Sequence, residues 1–160
     1  MPVAIAYAIG FISKNQLSEL FLTFCFKGWK KSYIDEIAKR YADTLLTEII
    51  RPIALNQIKK HKLNGDRVVV VSASFDFLIE EWCLKNGLEF ICSSIQTKNG
   101  LITGKFEGKC CDGIEKVKRI QKKYNIENYD TIFAYGDSHG DKDMLKIADI
   151  GFYRWTRIED

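Results

Sequence analysis

The strongest constraint on the fold is an apolar run at residues 67–71, which contains four consecutive valines. Unbroken β-branched residues predict a strand that is buried on both faces, and such strands are typical of parallel sheets. A second apolar segment at residues 131–135 predicts another strand, and helical patterns lie between the two, at residues 77–86 and 115–124. Strands that alternate with helices predict an α/β fold, a Rossmann-like parallel sheet with helices on both faces.

Shorter elements complete this α/β region. A short strand is predicted at residues 89–92. Residues 95–105 alternate in polarity around Asn99-Gly100, a dipeptide that favours tight hairpin turns, so a β-hairpin is predicted there. A short helix through Met144 follows the second strong strand.

The first 63 residues contain helical patterns and no convincing strand. Apolar residues at helical spacing predict a helix over residues 16–27, and Ser32 is predicted to cap a second helix. Pro52 suits the first turn of a further helix, which is expected to run to Leu63 and to stop at Asn64-Gly65. The chain therefore divides into a helical N-terminal region and an α/β region that begins near residue 66.

The first twelve residues are apolar, but they lack the basic flank and the cleavage site of a signal peptide. A helix of about a dozen residues is too short to span a bilayer. A buried or partner-facing helix is the favoured interpretation, and the end of a longer apolar helix that begins upstream is the alternative.

Composition limits the possible partners and compartments. The formal net charge of +3, from 24 basic and 21 acidic residues, is too balanced to predict nucleic-acid binding. The five cysteines form no CxxC pair, and Cys110 and Cys111 are adjacent, which fits neither a zinc site nor a disulfide framework. We interpret them as reduced thiols and expect a cytoplasmic protein.

Two groups of polar residues follow the strong strands, where open parallel sheets bind ligands. Ser72-Ala73-Ser74 follows the valines, and a hydroxyl with adjacent backbone N–H groups can hold a phosphoryl oxygen. For Ser74, capping of the helix that follows is the alternative interpretation.

The second group contains the carboxylates Asp137 and Asp141, which lie four residues apart after the second strand and could face one Mg²⁺ ion. A turn rich in Asp, Ser and Gly is the alternative interpretation. Lys116 starts a helix after Gly113, where it could neutralise a phosphate, although a solvated helix lysine is common.

The order of these groups carries more information than any one of them. The phrases VVVVSAS, GKCCDGIEKVKRI and AYGDSHGDKDML resemble the second, third and fourth motifs of the haloacid dehalogenase (HAD) superfamily. The likeness covers residues 15–153 and is closest to the phosphoserine-phosphatase-like branch, in the group with phosphatidylglycerophosphatase-like proteins. The resemblance implies that Ser72 and Ala73 bind the phosphoryl group, that Lys116 stabilises it, and that Asp137 and Asp141 serve Mg²⁺, with Lys116 and Asp137 as catalytic residues.

The resemblance also implies a partial helical cap at residues 1–50 over an α/β core at residues 51–160. The chain departs from the pattern in one respect. The family's first strand ends in DxDGT, whose first Asp is the nucleophile, and no DxDGT occurs in this sequence. We therefore expect the first strand of the sheet to be absent, and we interpret the chain as a fragment or the product of a misplaced start codon.

The predicted function is that of a Mg²⁺-dependent phosphate monoester hydrolase that acts through an aspartyl-phosphate in its complete form, with this chain inactive alone. A non-catalytic phosphate- or partner-binding module is the alternative, and a dehalogenase is less favoured. The substrate is expected to be a phosphorylated small molecule or a phospholipid-type compound. Aromatic residues in the cap region favour a lipid-like substrate and allow peripheral membrane association, although a helix-bundle core explains them equally well.

Overall fold

The computed structural model of the chain describes residues 13–158. The apolar segment at residues 1–12, with the interpretations given to it, lies outside the described residues. The helices are α1 (Lys14–Phe26), α2 (Lys31–Asp43), α3 (Leu45–Ile49), α4 (Pro52–Leu63), α5 (Asp76–Lys85), α6 (Ile114–Lys123) and α7 (Lys142–Lys146). The strands are β1 (Val69–Phe75), β2 (Glu89–Ser93), β3 (Ile95–Lys98), β4 (Leu101–Phe106), β5 (Phe133–Gly136), β6 (Ile150–Tyr153) and β7 (Thr156–Arg157).

The N-terminal helices form largely where the periodicity predicts them. Ser13 caps α1 through a reciprocal pair of hydrogen bonds with Gln16, and Pro52 occupies the first turn of α4. The prediction that Ser32 caps the second helix is wrong. α2 already begins at Lys31, after an extended Lys30 that makes no side-chain cap, because the backbone of Lys30 and Lys31 is bonded to the tip of the β3–β4 hairpin.

The helices share an apolar core with the hairpin and with α5. This core contains buried residues of α1, α2 and α5 together with Ile95, Ile102 and Phe106 from the hairpin. A second cluster joins α2 to α5 and includes Ala42, Trp82 and Cys83. The division into a cap at residues 1–50 and a core at 51–160 stays a prediction.

The strands of the described residues belong to three sheets rather than one. β1 pairs in parallel with β2, β5 pairs in parallel with β6, and β7 adds an antiparallel edge to β6. β3 and β4 form the predicted hairpin, with Asn99 and Gly100 both at positive φ. The mixed α/β architecture with parallel pairs is confirmed, whereas β1 and β5 do not pair with each other among the described residues.

The valine strand is less buried than its composition predicts. Residues of β1 are half-buried or exposed, and none reaches full burial, so the prediction of a strand buried on both faces is wrong for the described residues. The physical reason is a cleft of about 1710 Å³ that separates β1 from β5 and is lined by both strands. Each strand is hydrogen-bonded to a neighbour on one side and faces this cleft on the other.

The boundaries of β1 also differ from the prediction. The strand continues through Ser72 to Phe75, because Phe75 pairs with Ser93 beyond an irregularity in the ladder. Ser74 does not cap the next helix, since Phe75 is the residue at that position and no side chain caps α5. Between residues 13 and 158 the protein has no helix that is long and apolar enough to cross a membrane.

Candidate active site

Asp141 organises the loop that follows β5. Its Oδ2 accepts hydrogen bonds from the Ser138 backbone N–H (2.9 Å), the Ser138 hydroxyl (2.6 Å) and the Asp137 N–H (3.2 Å). Its Oδ1 accepts from Lys116 Nζ at 2.5 Å. Burial by itself would raise the pKa of Asp141, but the hydrogen bonds from Lys116 and Ser138 outweigh burial and hold this pKa below its ordinary value. Asp141 is therefore an ionised, fully engaged carboxylate.

Lys116 links the two sides of the cleft. The side chain is buried, and its Nζ also donates to the Val71 carbonyl of β1 at 3.2 Å. One ammonium group thus joins the end of the valine run to the Asp141 loop beyond β5. The interpretation of Lys116 as a solvated helix lysine does not fit this burial.

Two glycines allow this loop to approach its neighbours closely. A Cβ on Gly136 would lie 2.5 Å from the Asp141 Cβ, and a Cβ on Gly140 would lie 1.9 Å from Asp112 Oδ1. Both distances are shorter than any normal contact, so a side chain at either position would displace the loop. The Gly-Asp-Ser-His-Gly-Asp sequence therefore serves packing as well as chemistry.

Asp137 points outward, in contrast to Asp141. Its side chain is 53% exposed, and Oδ2 lies 3.1 Å from Nη2 of Arg51, which immediately precedes α4. Arg154 donates from Nε to the Asp137 carbonyl at 3.3 Å. One arginine therefore pairs with the Asp137 carboxylate, and a second holds its backbone.

The serine side of the cleft is less strongly organised. The Ser72 hydroxyl accepts a hydrogen bond from the Ser74 N–H at 3.1 Å, within β1. The Ala73 carbonyl accepts from Ser93 Oγ at 3.0 Å, which ties β1 to β2. Ser72 and Ala73 both line the cleft.

The structure brings all five sequence-predicted site residues to one cavity. Its lining includes Ser72, Ala73, Lys116, Asp137 and Asp141. These residues come from three separate stretches of the chain, and their convergence provides a buried cation, an outward carboxylate and a hydroxyl at one edge of the parallel strands. Such a site can hold an oxyanion between the cation and hydrogen-bond donors.

The residues present fit a Mg²⁺ ion in part. Asp137 offers a carboxylate to the cleft, whereas both Asp141 oxygens already accept hydrogen bonds. Within residues 13–158, no group of three or more His, Cys, Asp or Glu side chains is arranged to hold a metal ion. Mg²⁺ commonly uses one or two carboxylates and completes its shell with water and phosphate oxygens. Asp137 fits as one ligand, and the assignment of Asp141 as another stays a prediction.

Sequence reasoning missed several polar residues in or next to the cavity. Arg51, which lines the cavity, and Arg154, which bonds to the Asp137 backbone, lie in no motif, and only the fold brings them to Asp137. His61 of α4 bonds to Asp66 through Nδ1 (2.7 Å) and to the Tyr135 hydroxyl of β5 through Nε2 (2.9 Å). Arg51 directly precedes the helix that starts at Pro52, and this position does not predict its contact with Asp137.

Sequence comparison defines the class of protein to which this fold and site belong. Residues 2–146 match the haloacid dehalogenase-like hydrolase family, and the chain is a member of that family.

Individual proteins and a solved structure resemble this chain at sequence identities of 28% or less. Protein CicA of Caulobacter vibrioides is 28% identical over 158 residues, covering 98% of this chain and 70% of CicA. The phosphoserine phosphatase of Archaeoglobus fulgidus is 26% identical over 122 residues, covering 74% of this chain and 34% of that enzyme. A crystal structure of a protein of unknown function from Bordetella pertussis Tohama I superposes with a TM-score of 0.83 at 17% identity, over 94% of this chain and 70% of that one. The chain is thus homologous to HAD phosphatases and spans only about a third of the archaeal enzyme.

Proposed function

We propose that this chain provides the phosphate-binding and metal-binding part of a phosphate monoester hydrolase. The observation that carries the proposal is Lys116, a buried ammonium that joins Val71 of β1 to Asp141 beyond β5. A buried lysine next to an open cleft is suited to a phosphoryl group, because it supplies a fixed positive charge where solvent is partly excluded. Ser72 is the proposed donor to a phosphoryl oxygen, and Ala73 is proposed to contribute its backbone N–H.

The nucleophile is proposed to come from a further strand. Between residues 13 and 158, β1 and β5 each have one edge without a strand partner, and both edges line the cleft. A parallel strand inserted there would satisfy both edges and would bring its carboxyl end beside Lys116 and Asp137. We propose that this strand carries the nucleophilic aspartate and belongs to polypeptide outside the described residues.

The proposed reaction has two steps. A carboxylate oxygen of the strand's first Asp forms a bond to phosphorus, the bond between phosphorus and the ester oxygen breaks, and the leaving alcohol takes a proton from the strand's second Asp. Water then hydrolyses the aspartyl-phosphate and releases inorganic phosphate. Mg²⁺, when bound, offsets phosphate charge. Asp137 would hold the ion, Lys116 would hold a phosphoryl oxygen, and Asp141 would orient Lys116.

The alternative function is a non-catalytic phosphate-binding module. Asp137 is paired with Arg51, and this favours the alternative because the carboxylate proposed as a metal ligand already has a cationic partner. Both functions need an oxyanion site at Lys116, and they differ in hydrolysis. The substrate proposed for the hydrolase is a phosphorylated small molecule or a phospholipid-type compound.

The shared requirement can be tested by phosphate binding. Isothermal titration of the 160-residue chain with inorganic phosphate should show Lys116→Met weakening binding by about tenfold or more, since hydrogen bonds to charged groups contribute about 1.5–3 kcal/mol. Lys118→Met is the matched control, because Lys118 lies exposed on the same helix. Ser72→Ala, which removes one hydroxyl from a half-buried position, should weaken binding severalfold without unfolding the chain.

The second measurement tests whether the chain needs a further strand for hydrolysis. We expect the chain alone to show no hydrolysis of a chromogenic aryl phosphate with Mg²⁺, because the nucleophile is supplied by the further strand. Hydrolysis by the chain alone that disappears in Asp137→Asn would contradict the need for that strand. Equal phosphate binding by Lys116→Met and wild type would contradict the site itself.

A further inference from the structure

The first two helices expose an unusual amount of aromatic surface. Phe24 is 92% exposed on α1, and Phe21 and Tyr33 are each 54% exposed on α1 and α2. Trp29, between the helices, is 42% exposed. Large apolar side chains exposed together mark an interaction surface rather than ordinary scatter.

These side chains form one continuous surface. The rings of Phe21 and Phe26 lie 6.3 Å apart, those of Phe26 and Trp29 lie 5.9 Å apart, and those of Trp29 and Tyr33 lie 5.7 Å apart. Phe24 lies in the last turn of α1, three residues after Phe21, and side chains at this spacing share a face of the helix. We call this surface, together with the lysines beside it, the aromatic–lysine face; it comprises Phe21, Phe24, Phe26, Lys27, Trp29, Lys30 and Tyr33.

The charge of this face has one sign. Residues 20–34 contain three lysines, Lys27, Lys30 and Lys31, and no acidic residue. Lys31 is paired with Asp35, whereas Lys27 and Lys30 are exposed on either side of Trp29. The tip of the hairpin adds one apolar and one basic residue beside this face. Leu101 is 40% exposed and forms a β-bridge with Lys30. Lys98 is exposed and lies opposite Leu101 in the hairpin ladder.

We infer that the aromatic–lysine face docks on an anionic phospholipid surface. Trp, Tyr and Phe side chains insert into the boundary between headgroups and acyl chains, and lysines reach from there to anionic headgroups. A face that combines exposed aromatics with exposed lysines complements such a surface in both polarity and charge. Within the described residues no helix could cross the bilayer, so this docking is peripheral.

The face is separate from the cleft lining, because none of its seven residues lines the cleft. The inference therefore stands whether or not the chain hydrolyses phosphate.

The test is sedimentation of the full chain with vesicles of phosphatidylcholine alone or of equal parts phosphatidylcholine and phosphatidylglycerol. Wild type should sediment with the anionic vesicles and remain in solution with the neutral ones. Lys30→Glu should lower the partition coefficient by more than about fivefold, because each lysine near an anionic surface contributes about 1 kcal/mol. Phe24→Ser should lower it by about tenfold through lost apolar insertion.

Two matched controls lie on α4, away from the face. Leu63→Ser removes an equally exposed apolar side chain, since Leu63 is 88% exposed, and Lys59→Glu reverses an exposed lysine. Both should sediment like wild type.

Other occupants of the face give different results, and each would overturn the inference. A self-association that Phe24→Ser abolishes, measured by analytical ultracentrifugation, would identify a second copy as the occupant. A melting temperature lowered by Phe24→Ser would show that another part of this chain covers Phe24. Sedimentation that responds to Lys30→Glu but not to Phe24→Ser would reduce the interaction to non-specific charge attraction.

Discussion

At the scale of single residues, the site depends on the ion pair between Lys116 and Asp141. Both side chains are buried, with side-chain exposures of 5% and 9%. Removing one partner of a buried pair leaves an uncompensated charge, which costs about 3–5 kcal/mol. Lys116→Met or Asp141→Asn should therefore each lower the free energy of unfolding by roughly that amount, measured by urea denaturation. The double variant should lose much less than the sum of the two.

The same pair predicts an acid dependence. Asp141 has a lowered pKa in the folded chain, so its contribution to stability is present above its unfolded pKa of about 3.9 and is lost as pH falls through the folded value. The stability difference between wild type and Asp141→Asn should consequently shrink below about pH 4. A difference that stays constant from neutral to acidic pH would show that Asp141 is not ionised in the folded chain.

Motif order predicts which residues meet at the site but not what each one touches. Ser72, Lys116 and Asp137 line one cavity because the carboxyl ends of parallel strands share an edge, which the sequence pattern shows. The contact of Arg51 with Asp137 depends on how α4 packs, and no local pattern encodes that packing. Both oxygens of Asp141 accept hydrogen bonds because of the loop conformation, which the spacing of Asp137 and Asp141 in the sequence does not specify.

At the scale of elements, local signals predict the structure where no tertiary contact competes with them. The Ser32 cap fails because hairpin contacts start the helix earlier, at Lys31. The Asn99-Gly100 turn was predictable because positive φ at both positions is a local property of these residues. The end of β1 was not, since pairing of Phe75 with Ser93 extends the strand past the serine that looked like a helix cap. The burial of the valines depends on a neighbouring strand that no described residue supplies.

The open edge of β1 predicts a pattern of amide hydrogen exchange. In a strand with one parallel partner, N–H groups alternate between that partner and the opposite side. Amides of β1 that point to β2 should be protected, and those that point to the cleft should exchange much faster. Hydrogen exchange followed by NMR measures this alternation along β1. Uniform protection along β1 would indicate that the cleft edge already has a partner.

At the scale of the whole molecule, the open strand edges are expected to lower stability. β1 and β5 each present an edge and partly exposed side chains to the cleft, and a whole domain is stable by only about 5–15 kcal/mol. A strand that pairs with both edges and covers these side chains should therefore raise the melting temperature of the molecule. On the proposed function, it would also bring the nucleophile beside Lys116 and Asp137.

The measurement that tests this account most directly is strand addition to the 160-residue chain. Two synthetic peptides are compared: an apolar strand that ends in Asp-x-Asp-Gly-Thr, and the same strand with Asn in place of the first Asp. We predict that both peptides raise the melting temperature, because both satisfy the open edges, and that only the first restores Mg²⁺-dependent hydrolysis of an aryl phosphate. A sharp, high-temperature melt of the monomeric chain that neither peptide changes would contradict the account, since the sheet would then be complete without the proposed strand.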